Sequence, residues 1–199
     1  MTVYISGLLL GFSLIMALGP QNIFLIRQGV MRRHAFLSAL TCFSCDVILI
    51  TLSVTGLHHI LERYPKVGIA LAYFGGAFLL YYGVSSLLRG LKAAEDPLSH
   101  QTNIKSRRQI IGLAVGFSLL NPHAIIDSLV LIGGGSSQFP DHPNIYLMGV
   151  LTSSFAWFAS LTFIAYYFSD ILTKGHIWRR VEQISGVLMI YLAIKLAVF

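Results

Sequence analysis

Charge is scarce in this chain. Only 11% of its residues are Asp, Glu, Lys or Arg, against 55% hydrophobic, and the mean hydropathy is +0.73. A water-soluble domain carries about twice that charged fraction, which excludes a globule solvated on all sides. Cysteine is nearly absent as well. Cys42 and Cys45 stand at C-x-x-C spacing, a pattern open to redox or metal chemistry. No second pair or neighbouring His completes a metal set, so two small, soft core residues at helical i, i+3 spacing are the expectation. Lys and Arg are missing altogether from Met1 to Asn22. A secretory signal opens with a basic segment and closes on a small-residue cleavage site, so a cleaved leader is not expected there.

What the chain does have is apolar blocks. Tyr4–Ile26, Ala35–Leu57, Val67–Leu88, Ile110–Ile132, Tyr146–Phe168 and Val181–Phe199 each approach the 20 or so residues that a helix needs to cross a bilayer. The expectation is an all-α integral membrane protein of about six transmembrane helices, with residues 1–199 forming a single membrane domain.

The net charge of +6 does not point to nucleic acid, because the basic residues sit in short links between the blocks. Arg27, Arg32 and Arg33 follow the first block. Arg89, Lys92, Lys105, Arg107 and Arg108 follow the third, and Lys174, Arg179 and Arg180 the fifth. Arg63 and Lys66 alone lie in the alternate links. The positive-inside bias then predicts links 1–2, 3–4 and 5–6 in the cytoplasm and both termini outside, if all six blocks span.

The longest polar stretch, 89–109, separates two halves of three blocks each, about 4–88 and 110–199. Gly7-Leu-Leu-Leu-Gly11-Phe12-Ser13-Leu14 recurs as Gly112-Leu-Ala-Val-Gly116-Phe117-Ser118-Leu119. A three-helix repeat inserts its two copies upside down, a recurring plan of secondary transporters.

Two carboxylates fall inside apolar blocks: Asp46 in the second and Asp127 in the fourth. Glu62, Glu95, Asp96, Asp141, Asp170 and Glu182 are expected in links or at solvated helix ends. A carboxylate at mid-bilayer costs about 2.5–3.5 kcal/mol on insertion scales, so it tends to face a cavity, a partner charge or an ion path. The bland alternative is a structural Asp hydrogen-bonded within a helix bundle.

Leu18-Gly19-Pro20-Gln21-Asn22 and Leu120-Asn121-Pro122-His123 are helix breaks at corresponding places in the two halves. Pro removes a backbone donor, Gly loosens the turn, and Gln and Asn supply amide groups to the gap. Paired breaks of this kind are a pointer to a transport site. The expected substrate-binding or proton-coupling residues are therefore Asp46, Asp127, Gln21, Asn22 and Asn121, with Gly19, Pro20 and Pro122 making the breaks. His123 reads as a hydrogen-bonding spacer or a proton relay. Trp157, Tyr73, Tyr81, Tyr82, Tyr166 and Tyr167 read as interface anchors or packing. Gly133-Gly134-Gly135-Ser136-Ser137 lacks the Lys-Ser/Thr of a phosphate loop and reads as a flexible turn.

With these motifs the chain resembles the LysE family of bacterial amino-acid exporters, in its arginine-exporter branch. The resemblance rests on Gly19-Pro20-Gln21-Asn22 with Ile26-Arg27-Gln28-Gly29, Ser44-Cys45-Asp46, and Leu120-Asn121-Pro122-His123 with Asp127. Gly75-Gly76, Phe155-Ala156-Trp157-Phe158 and Ala193-Ile194-Lys195-Leu196 extend it along the chain. It implies export of L-arginine or L-lysine across the inner membrane, driven by the proton gradient or the membrane potential, without a cofactor or resident metal. It also implies that Asp46 and Asp127 serve the cationic substrate or a coupled proton. Export of neutral amino acids such as homoserine or threonine, cation export and a membrane thiol oxidoreductase are the alternatives. Homo-oligomerisation is left open.

Overall fold

Prolines mark where helices begin. Pro20 and Pro143 each lie in the first turn of a helix, where the missing N–H has no intrahelical partner to lose and the fixed φ suits the helix. The computed structural model describes residues 1–16, 19–32, 34–55, 65–92, 106–121, 124–125, 127–172 and 174–197, and these hold helices and no strand. In chain order they are α1 (Thr2–Ile15), α2 (Pro20–Val30), α3 (Ala35–Val54), α4 (Pro65–Lys92) and α5 (Arg107–Leu119). A π-helical segment (Asp127–Ile132) then runs into the single turn α6 (Gly133–Ser136), followed by α7 (Pro143–Tyr167), α8 (Ser169–Leu172) and α9 (Gly175–Ala197).

Local chemistry explains several of these ends. α5 opens on a capping box: Ser106 Oγ accepts from the Gln109 N–H at 3.3 Å while Gln109 Oε1 accepts from the Ser106 N–H at 2.9 Å. Between α2 and α3 the chain turns through two left-handed non-glycine residues, Arg32 (φ 51°) and His34 (φ 55°). Arg32 is held there by the Tyr166 carbonyl at 3.2 Å and Asp170 at 3.1 Å. Within α3, Ser38, Thr41, Ser44 and Ser53 donate to the carbonyl four residues back at 2.7–2.9 Å, so their hydroxyls need no outside partner. Phe36, Leu40, Ile48 and Leu52 of the same helix are exposed, an apolar face that suits lipid.

Of the described helices, α3 and α7 are both long and apolar enough to cross a bilayer, and α1 with α2 makes a third if the bent pair counts as one span. Tyr4–Ile26, read with a break at Gly19-Pro20, is α1 and α2, set 77° apart. Gly19 between them is extended (φ −101°, ψ 176°), and Pro20 cannot continue the ladder of α1. Ile110–Ile132, read with a break at Asn121-Pro122, is likewise divided, since α5 ends at Leu119 and the π-helical segment begins at Asp127. Gly133–Ser136 is not a flexible turn but a helical one, with Gly133 and Ser136 buried. The last helix starts at Gly175 rather than Val181.

Two glycine-lined seams hold the most extensive helix pairings, α1 with α7 and α4 with α9. A Cβ on Gly7 would strike the Tyr146 carbonyl, and one on Gly149 the Tyr4 carbonyl. A Cβ on Gly186 of α9 would sit 2.8 Å from the Gly83 carbonyl oxygen of α4. Small residues let backbones approach closely where lipid offers no hydrophobic drive to association. The repeated Gly-x-x-x-Gly motif is not used alike in the two halves: Gly7 and Gly11 meet α7, whereas a Cβ on Gly112 would meet nothing.

Candidate functional site

The break before α2 places its first turn in the interior. Gln21 and Asn22 are both buried, and each amide is tied to distant parts of the chain. Gln21 Nε2 donates to Ser118 Oγ of α5 at 3.0 Å and to Asp46 Oδ1 of α3 at 3.3 Å. Ser154 Oγ of α7 donates to the other carboxylate oxygen, Asp46 Oδ2, at 2.7 Å. Asp46 is thus oriented by neutral donors from α2 and α7, and among the described residues no Lys or Arg pairs with it.

Asn22 bridges the break itself. Its Nδ2 donates to the Ile15 carbonyl at the end of α1 (2.9 Å), and its Oδ1 accepts from Trp157 Nε1 of α7 (3.2 Å). Trp157, expected as an interface anchor or packing, is part of the framework of the site. Its single N–H would be expensive to bury without an acceptor, and Asn22 supplies one.

These groups line a cavity of about 190 Å³, with Gly19, Pro20, Gln21, Asn22, Asp46, Asn121 and Ser128 beside apolar Ile50, Phe158 and Leu188. One water needs roughly 10–15 Å³ of such space, so the cavity has room for a small organic solute rather than one bare ion. Asn121 is buried and its Oδ1 has no partner among the described residues. A buried acceptor left unpaired costs about 1–3 kcal/mol, so the cavity favours an occupant with a donor. Of the expected residues, the structure brings Gly19, Pro20, Gln21, Asn22, Asp46 and Asn121 together here. Asp127 begins the π-helical segment whose Ser128 and Ile132 reach the cavity wall; its side chain, Pro122 and His123 lie outside the described residues. Interrupted or π-helical backbone of this kind is concentrated at functional sites.

Glu182 stands in contrast to its expected place at a solvated helix end. It is 2% exposed. Because α9 starts at Gly175, Glu182 lies well inside the helix, where two arginines meet it: Arg27 of α2 at 2.8 Å and Arg89 of α4 at 3.4 Å. Ser86 of α4 also donates to its carboxylate. Hydropathy along one segment cannot reveal this cluster, since its charges come from three separate helices.

Cys42 and Cys45 are free, buried thiols, with Cys42 in the apolar core beside Phe24, Phe117 and Phe158. Among the described residues, no three of His, Cys, Asp and Glu converge as a metal site would require.

Residues 12–198 match the family described as LysE type translocator. The chain is 32% identical to the arginine exporter protein ArgO of Pectobacterium carotovorum, over 98% of this chain and 96% of that protein. It is 32% identical to the arginine exporter protein ArgO of Yersinia enterocolitica, over 99% and 97% of the two chains. With the lysine exporter LysE of Corynebacterium diphtheriae it shares 30% identity over 98% and 99%. No solved structure matches it significantly. The matched span contains every residue that lines the cavity, and on that match the chain belongs to the LysE type translocator family of membrane proteins.

Proposed function

We propose that this protein is a secondary transporter that exports cationic L-amino acids, arginine or lysine, from the cytoplasm across the bacterial inner membrane. The observation that carries the reading is the Asp46 carboxylate, set in the wall of a solute-sized cavity and partnered, among the described residues, by Gln21 and Ser154. A guanidinium or ammonium group in low dielectric wants such a carboxylate. The names of the relatives, arginine exporter and lysine exporter, support the same solute class.

The carboxylate also supports a coupling scheme. Moving one positive charge outward against an inside-negative membrane costs about 2.3 kcal/mol per 100 mV. A carboxylate that releases the substrate cation outside and takes up a proton in its place returns neutral, which removes that cost. Proton exchange at Asp46 is therefore the coupling we assign.

The six-helix plan of two inverted repeats, with basic links in the cytoplasm, belongs to this reading. It draws support from α4 against α9 and α3 against α7, since each pairing joins the helices that would correspond in the two halves.

The test is efflux of labelled arginine and lysine from preloaded cells, with the protein present, absent, and as Asp46→Asn. Faster efflux of both cations, lost in the variant and insensitive to excess leucine, is the expected result. Efflux of homoserine or threonine with arginine and lysine unaffected would overturn the substrate class.

A further inference from the structure

Beyond the cavity, toward the ends of α2 and α9 that carry basic links, the helices are closed by two layers. The first is aromatic. Phe117 of α5 meets Phe24 of α2 with ring centres 5.2 Å apart, and Phe78 and Tyr82 of α4 at 4.9 and 5.0 Å. The second is the cluster of Glu182 with Arg27, Arg89 and Ser86.

Helix spacing gives their order. On α2 the cavity takes Gln21 and Asn22, the aromatic layer Phe24, and the ionic cluster Arg27. On α9 the cavity takes Leu188 and Leu192 and the cluster Glu182. At about 1.5 Å per residue, the ionic cluster lies roughly 8–9 Å past the cavity wall on both helices. From there the chain runs on past the end of α2 to Arg32, and back past the start of α9 to Lys174. Charge bias places those links in the cytoplasm, so the two layers separate the cavity from the side where an exported solute must enter.

The chemistry of the second layer is informative. Well-packed apolar residues hold such a place at least as well as a buried ion cluster. Ion pairs differ in how they part: once water enters, each charge is hydrated, so separation is reversible. Here the two arginines are less deeply buried than the carboxylate they hold. The Glu182 side chain is 2% exposed, whereas those of Arg27 and Arg89 are 19% and 33% exposed. The cluster also ties together three helices, α2, α4 and α9, whose separation would uncover the cavity.

We infer that Arg27, Glu182 and Arg89 form the inner gate of the cavity, closed in this structure and parting once in each transport cycle. The gate rests on the transport reading above, but its test does not depend on which solute is carried. Cys42, fully buried beside Phe24 and Phe117, is a native reporter of the layer behind the gate. With Cys45→Ser as background, Cys42 in inside-out membrane vesicles is reacted with a charged, membrane-impermeant methanethiosulfonate.

The parent should label slowly. Glu182→Gln and Arg27→Gln should each raise the rate about tenfold, equivalent to a shift of roughly 1.4 kcal/mol toward the open state, while arginine efflux falls. The reversed pair Arg27→Glu with Glu182→Arg should restore slow labelling, a rescue that loss of packing would not predict. Folded single variants that label at the parent rate would overturn the gate, as would a reversed pair that stays fast. If Glu182→Gln does not accumulate, Arg89→Gln removes the longer, more exposed contact, and an unchanged rate there overturns the gate equally. Gated labelling in vesicles that move neither arginine nor lysine would strike at the substrate reading alone.

Discussion

Asp46 and Glu182 are both carboxylates held inside a helix bundle, and their surroundings assign them opposite tasks. Asp46 takes hydrogen bonds from an amide and a hydroxyl and faces open volume. Glu182 takes two guanidinium groups and a hydroxyl and does not line that cavity. A carboxylate with neutral partners is oriented but not neutralised, so it keeps its attraction for an incoming cation. One with charged partners has its attraction already satisfied. The charge of the partners separates the two cases.

The comparison can be broken most decisively at Glu182. Glu182→Ala strands Arg27 and Arg89 beside a vacated carboxylate site, and breaking a buried pair this way costs about 3–5 kcal/mol. Thermal unfolding of the detergent-solubilised protein should show it as a large fall in Tm. At Asp46 the loss should be functional instead: Asp46→Asn keeps the size and hydrogen-bonding shape, leaves Tm nearly unchanged, and cuts arginine efflux by about thirtyfold, roughly 2 kcal/mol. A stability loss as large as that of Glu182→Ala would erase the distinction drawn here.

Gly186→Ala intrudes on the Gly83 carbonyl and should cost about 1–3 kcal/mol of stability, with efflux per folded molecule retained. Ser154→Ala removes one hydrogen bond from Asp46, worth about 1 kcal/mol, and should lower efflux about fivefold without moving Tm. The smallest effect belongs to the exposed pair Arg32–Asp170, whose loss in Asp170→Asn should stay within about 1 kcal/mol.

The sequence was most legible where lipid sets the rule. α3 and α7 announce themselves as apolar runs because their outer faces meet hydrocarbon, and Asp46 stands out against that background. Gly19-Pro20 and Asn121 were also readable, since a break leaves backbone groups that need polar company. The break's true form was not: a 77° bend with a new helix start depends on where Asn22 finds acceptor and donor, and those partners come from α1 and α7. The bond from Trp157 to Asn22 was unreadable for the same reason. Glu182 was missed because its neutralising charges belong to other helices, so the segment before Val181 looked too polar to be buried. α4 and α9 face one another along glycines, so each hides polar surface that hydropathy counts as exposed.

The break before α2 also bears on how the protein is assembled. Gln21 and Asn22 find partners in Ser118 and Trp157, 97 and 135 residues further along the chain. Synthesis proceeds from the N-terminus, so the first half reaches the membrane before either partner exists. Until α5 and α7 have been inserted, its bend at Pro20 has only the partners of the first half, Asp46 for Gln21 and the Ile15 carbonyl for Asn22. The bend near the start of the chain is thus among the last features to acquire its full set of contacts, and a fragment ending before α5 would carry it without those from Ser118 and Trp157.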